Sequence, residues 1–311
     1  MTRLLLGHHH RVLQTQDTRL HLDDVDVVLF LENCRWFPTI MGQLTERAGR
    51  PLAVVWHWEP LPMPKAAGIP PPSLSLRERA KVVLGDVRAT DAYTNLSHLL
   101  ELDRHGFPDL LLVSSQAWQE SLAEHDVTAH WLPYGYEAGF GTATAGPRDI
   151  EALFLGALEV PRRKRLIKQL RRSGIDVLAK GSWFDKTCWG KERTRLINRA
   201  EAFINIQRYR GELSAHRLIL GMANKSLVVS EPIYRPAPFV PGEHYVEADV
   251  DDMPAVLRYY RTHRAERDRI VERAHRFVTG ELTMEAAVSR IVSLVVEHTA
   301  ARTSHAGGRP T

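Results

Sequence analysis

The chain has few cysteines, no long apolar run and little excess charge, and each lack removes a class of protein. Two cysteines in 311 residues, Cys34 and Cys188, make neither a disulfide framework nor a zinc-ligand pattern, so both are expected to be thiols in a reducing compartment. No apolar stretch reaches the roughly 18–20 residues that span a bilayer. Met1–Leu6 is too short for a secretory leader and runs straight into His8, His9 and His10, which points to the cytoplasm. A formal net charge of +4 is too small and too scattered to imply a nucleic acid partner. The exception is a local basic cluster, Arg162-Arg163-Lys164-Arg165.

What is present is ordinary globular composition, 44% hydrophobic and 25% charged, in a chain of about twice the usual domain length. Short apolar runs alternate with amphipathic stretches, the pattern of an α/β fold with mostly parallel sheets. In the first half the expected strands are Leu4–Leu6, Val25–Leu31, Leu52–Trp56, Leu110–Val113 and Ala129–Leu132, with helices over Phe37–Ala48 and Gln116–Glu124. Their near-continuous apolar character suits strands covered on both faces. A turn-rich passage follows, with Gly135, Gly139, Gly141, Gly146 and Pro147. The alternation then restarts with strands at Ala152–Leu155, Asp176–Leu178, Ala202–Ile206, Leu227–Val229 and Tyr245–Val246. Helices are expected over Arg162–Arg172, Lys191–Ala200, Ser214–Asn224, Met253–Arg261, Ala265–Val278 and Met284–His298. This gives an N-terminal Rossmann-like domain over 1–140, a linker over 141–150, a C-terminal Rossmann-like domain over 151–299 and a flexible tail over 300–311. Pro60–Ser75, with six prolines, is expected to be an extended loop.

In open parallel sheets ligands bind beyond the carboxyl ends of the strands. In the first half those positions hold His8, His9 and His10 after strand one, Glu32, Asn33 and Arg35 after strand two, and His57, Trp58 and Glu59 after strand three. Imidazoles with neighbouring carboxylates are the equipment of a general base. His57, His9 and Glu59 are therefore the catalytic candidates, and His8, His10, Glu32, Asn33 and Trp58 the acceptor-binding ones. Three consecutive histidines do not turn readily onto one ion, and no second cluster completes a metal site. In the second half, Gly156 ends the first strand and Arg162 opens the next helix, a combination suited to a diphosphate. The richest segment runs from Asn205 to Arg217. A strand ends, a polar loop follows, and Ser214 is placed to cap an apolar helix. Arg208, Arg210, His216 and Arg217 crowd that turn with a single carboxylate, Glu212. Trp56, Trp58 and Trp183 offer flat faces for stacking.

At these residues the C-terminal half resembles the corresponding domain of group 1 glycosyltransferases, especially the bacterial spore-maturation-type branch. The resemblance rests on Phe154-Leu155-Gly156 with Arg162-Arg163, Trp189-Gly190-Lys191-Glu192-Arg193, and Ala202 to Gln207. It continues through Arg217 to Ala223, Val228-Val229-Ser230-Glu231, and Phe239 to Val246. It implies a GT-B fold, two Rossmann-like domains with mostly parallel sheets facing across a cleft. It also implies transfer of a sugar from a nucleoside-diphosphate donor held by the C-terminal domain to an acceptor held by the N-terminal one. No cofactor beyond the nucleotide sugar and no obligatory metal are implied, since helix N-termini and cations stabilise the leaving diphosphate. By position, the donor-binding set is Gly156, Arg162, Arg208, Glu212, Ser214, His216, Arg217 and Glu231. One position departs from the family. Many relatives carry two glutamates across this helix; Glu212 takes the first place but Leu220 the second. That leaves the stereochemical outcome open. It also keeps two other readings in play: a non-catalytic GT-B-like partner subunit, and a sugar-nucleotide epimerase.

Overall fold

A computed structural model describes residues 5, 10–15, 19–20, 22–31, 37–45, 50–71, 76–84, 90–182 and 188–306. The chain divides into two compact units. One takes the residues up to Pro133 and from Met284 onward; the other takes Tyr134–Thr283 together with Ala67–Ile69.

The first unit holds a four-stranded parallel sheet in the order β1 (Val27–Leu31), β2 (Leu52–His57), β3 (Leu110–Val113), β4 (His130–Trp131). β2 and β3 are buried along their whole length, as continuous apolar runs require in a sheet covered on both faces. Val27–Leu31 registers against Leu52–Trp56, and His57 lies opposite Val113 at the carboxyl edge. Between and after its strands the chain forms α1 (Phe37–Thr45), α2 (Leu76–Val83), α3 (Asp91–Arg104) and α4 (Gln116–Ala123). α3 buries Ala92, Leu96, Leu99 and Leu102, one stripe at helical spacing, against a core containing Leu44, Val55, Val113 and Trp118. At the opposite edge of the sheet Arg50 forks onto Asp109, at 2.5 and 3.0 Å, and Asp109 also accepts the Ala53 amide at 2.8 Å. That bidentate pair ties the starts of β2 and β3 together.

The second unit carries a five-stranded, fully parallel sheet. In chain order its strands are β5 (Ile150–Leu155), β6 (Val177–Lys180), β7 (Ala200–Asn205), β8 (Leu227–Ser230) and β9 (Val246–Glu247). In space they run β6-β5-β7-β8-β9, so the order reverses between β5 and β7. Alternate residues supply the two cores. Leu153, Leu155 and Phe203 join one, Ala152, Phe154, Ala202 and Ile204 the other. Crossovers run through α5 (Pro161–Arg172), α6 (Gly190–Asn198) and α7 (Ala215–Ala223), followed by α8 (Met253–Thr262), α9 (Arg264–Arg276) and a π-turn over Phe277–Glu281. α7 is buried along most of its length, and Gly221 permits this. A Cβ there would stand 2.5 Å from Val228 Cγ2 and 2.9 Å from Phe203 Cδ1.

Three expectations change. The passage expected as an interdomain linker is strapped to the second unit. Arg148 donates to the carbonyls of Ile197, Ala200 and Asn224, Asn198 donates to Thr142 O, and Asn224 donates to Phe140 O. Backbone carbonyls left over at helix and strand ends thus fix it, which glycine content alone does not reveal. Within the segment expected as a flexible tail, Ala300–Ala306 forms the last turns of α10 (Met284–Ala306). α2 and α3 occupy a stretch in which no element was expected. The expected strand Leu4–Leu6 lies, Leu5 apart, outside the described residues.

Candidate functional site

A parallel sheet whose strand order reverses leaves a crevice at the carboxyl ends of the two strands flanking the reversal, because the chain leaves them in opposite directions. Here those strands are β5 and β7. Gly156 follows β5, and Ile206 and Gln207 follow β7.

Two guanidiniums converge on this point. Arg217, in the first turn of α7, donates to Asn205 Oδ1 at 2.9 Å and to the Ile206 carbonyl at 3.3 Å. Arg163, in the first turn of α5, donates through Nε to the same carbonyl at 3.1 Å. Both lie over the Phe154 ring, at 5.6 and 5.8 Å. Burial pushes Arg217 down to about 9, with repulsion from Arg163 adding to it and Glu212 opposing it. Burial likewise pushes Arg163 down to about 10. Two like charges held this close in an enclosed place are costly without an anion. Glu212 is the carboxylate that acts on both; it is itself buried and accepts the Tyr209 amide at 3.1 Å.

Gly156 supplies the space. A Cβ there would stand 3.2 Å from Arg217 Nη2 and 3.1 Å from Phe154 Cζ, so a larger residue would press on the guanidinium. Gly181, at φ +118°, packs against the Gly156 backbone so tightly that its own Cβ would fall 2.7 Å from Gly156 O. Ser214 caps α7 by backbone alone: its carbonyl accepts the Arg217 and Leu218 amides, and its side chain makes no cap bond. An uncapped first turn favours an anion. His216 is exposed, yet protein around it and the guanidiniums of Arg217, Arg163 and Arg193 push its pKa to about 3. Solvent reaches a ring whose surroundings are mostly protein, and the imidazole is neutral at neutral pH.

The structure thus brings Gly156, Glu212, Ser214, His216 and Arg217 together, with Arg208 half-buried beside them over the Tyr209 ring at 5.3 Å. Arg162 and Glu231 are placed differently from the expectation. They bond each other in a bidentate pair, with Arg162 also donating to the Gln207 carbonyl and Glu231 accepting the Gln207 amide. Their charges are spent on shaping the loop after β7. Asn205 and Phe154 are the members that the sequence reading left without a role; Arg163 belongs to the basic run that it placed at the start of α5, suited to a diphosphate.

In the first unit His57 stands at the expected strand end but is fully buried, edge-on to Trp118 with ring centroids 6.2 Å apart. Burial drives its pKa down to about 4, only partly offset by a hydrogen bond with the Glu59 backbone. So weak and enclosed a base does not match its expected role toward an acceptor. Trp58 and Glu59 are half-exposed, and Trp58 packs edge-on against Trp56 at 4.9 Å. His10 is exposed. His8, His9, Glu32, Asn33, Arg35, Cys34 and Trp183 lie outside the described residues; Cys188 is a buried thiol. Among the described residues no three His, Cys, Asp or Glu are grouped to hold a metal ion, and no helix is long and apolar enough to cross a membrane.

Among solved structures, the chain is similar to the sucrose-phosphate synthase of Thermosynechococcus elongatus, with 12% identity, a TM-score of 0.60, and 89% of this chain matched to 74% of that one. It is also similar to Anabaena HepE in complex with UDP-glucose, with 10% identity, a TM-score of 0.58, and 86% matched to 78%. The fold is GT-B. TarM of S. aureus has 10% identity and a TM-score of 0.54; 86% of the chain matches 54% of TarM, so the chain spans about half that protein's length. Residues 162–293 match the family model described as glycosyl transferase-like. That segment begins at the first turn of α5 and includes the whole turn from Asn205 to Arg217. By sequence, no curated protein matches the chain.

Proposed function

We propose that the protein is a glycosyltransferase that moves a sugar from a nucleoside diphosphate to a hydroxyl of a small-molecule or cell-surface acceptor, without a metal. One observation carries this reading: Arg163 and Arg217 are buried side by side on one carbonyl and one aromatic ring, at the reversal point of a GT-B sheet. In the reaction the bond from the anomeric carbon to the diphosphate oxygen breaks, and a bond to the acceptor oxygen forms. The charge that develops on the leaving diphosphate is met by Arg217, Arg163 and the first amides of α7, fixed in place before the reaction begins. Glu212 is the acceptor for ribose or sugar hydroxyls. In the first unit the acceptor falls to Trp58 and Glu59, the half-exposed groups after β2, and Glu59 receives the acceptor proton. The ordered motifs of the C-terminal half suit the spore-maturation-type branch.

Leu220, where many relatives carry a second glutamate, is buried in the core, and it favours a second reading, a subunit that binds nucleotide without turnover. Purified protein incubated with a panel of UDP-, GDP- and dTDP-sugars separates the two. Release of nucleoside diphosphate that is lost in Arg217→Met and Glu212→Gln supports the enzyme. Tight nucleotide binding with no release from any donor supports the subunit.

A further inference from the structure

Trp189 is the described tryptophan whose ring is open to solvent, 64% exposed, while Trp56 and Trp118 are buried and Trp58 and Trp131 half-buried. Its neighbour Cys188 is built into the core that also holds Leu155, Leu213 and Ala215, the residues next to Gly156, Glu212 and His216. On its other side Gly190 takes a left-handed turn, φ +58°, into α6, with nothing within 4 Å of where its Cβ would be. The ring is therefore anchored at its root and held out beside open space.

Arg193, one turn into α6, backs the ring. Its guanidinium carbon lies 5.9 Å from the Trp189 ring, and Nη2 donates to the Gly139 carbonyl at 2.5 Å. Its Nε is buried with no hydrogen-bond partner, so part of its donor capacity is unused. Its charge also acts on His216 at the start of α7. A flat aromatic face with a cation behind it, rooted in the core that also carries the residues flanking the diphosphate grip, matches a nucleotide's base and its phosphates.

Resting on the donor reading above, we infer that Trp189, backed by Arg193, is the platform on which the base of the nucleoside diphosphate stacks. Stacking uses the π-face that every base has, so the platform contributes affinity and orientation while leaving the choice of base to other contacts.

The test is calorimetric titration of the full chain with uridine diphosphate, guanosine diphosphate and inorganic pyrophosphate, for wild type, Trp189→Ala and Trp189→Phe. Loss of one base stack predicts that Trp189→Ala binds a nucleoside diphosphate about 5- to 100-fold more weakly while pyrophosphate binding stays within about twofold. Trp189→Phe keeps a face and recovers most of the loss. Unchanged nucleotide binding in Trp189→Ala overturns the platform and leaves the donor reading standing. Equal loss of nucleotide and pyrophosphate also overturns it, since the residue would then act on the diphosphate grip. Wild-type protein that binds none of the three ligands sinks the donor reading itself.

Discussion

Replacing Arg217 by Met separates the grip on a diphosphate from the integrity of the fold. Burial holds the guanidinium at about 9, well below its ordinary range. A cation whose folded-state pKa is lowered costs the fold stability while it is charged. That cost is complete below about pH 9 and is relieved as pH climbs above it. At about 1.4 kcal/mol per pH unit its upper bound is roughly 5 kcal/mol. Against it stand the hydrogen bonds to Asn205 Oδ1 and Ile206 O, worth about 1.5–3 kcal/mol each for a charged donor. The two effects nearly cancel, and methionine keeps much of the aliphatic packing against Phe154. The unliganded variant should therefore melt within about 6 °C of wild type at pH 7.5, taking about 2–4 °C per kcal/mol for a protein of this size. Uridine diphosphate at about 100 times its Kd stabilises wild type by about 2.7 kcal/mol, and the variant should lose that response. Differential scanning fluorimetry with and without ligand reads both quantities. A fall of more than about 10 °C without ligand would show that the guanidinium serves the fold. A preserved ligand response would show that it does not hold the diphosphate. Either result refutes the reasoning.

Gly156→Ala should leave the melting temperature nearly unchanged and weaken nucleoside diphosphate binding about tenfold, because the new methyl presses on Arg217 Nη2, 3.2 Å away; titration calorimetry checks it. Gly221→Ala should behave oppositely, losing about 1–3 kcal/mol in urea unfolding of the second unit, since its methyl meets Val228 and Phe203. The pKa of His57, lowered to about 4, means that the unfolded chain takes up a proton that the fold resists. Stability should then climb by about 3 kcal/mol between roughly pH 4 and 6.5 and be flat in this respect above it. In His57→Gln that slope should shrink, which urea titrations at pH 4.5 and 7 would detect; an unaltered slope contradicts the burial of the ring.

The strands were legible because a strand covered on both faces has to be apolar throughout. Leu110–Val113 falls where expected, and β2 differs from expectation by the single residue His57. α3 carries a signal in the spacing of Ala92, Leu96, Leu99 and Leu102, but the charged and polar residues between them obscure the stripe. At the site, Arg217, Glu212 and Ser214 could be read because one short turn after an apolar strand gathers them locally. Arg162 and Glu231 could not be read as partners, since 69 residues separate them and only the folded sheet brings them together. His57 misled for a related reason. A histidine at a strand end looks accessible until Trp118, from a helix far along the chain, closes over it. The exposure of Trp189 has no local code either, since its neighbour Cys188 is buried in the core and nothing in the neighbouring residues marks the difference.

The central claim is that a diphosphate is held at the carboxyl ends of β5 and β7. A crystal structure of the full chain soaked with uridine diphosphate tests it most directly. The account predicts diphosphate oxygens within hydrogen-bonding distance of the Arg217 guanidinium and of the first amides of α7, with Gly156 alongside. Clear density for the diphosphate at any other place on the chain, with Arg217 still bonded only to Asn205 and Ile206, would contradict it.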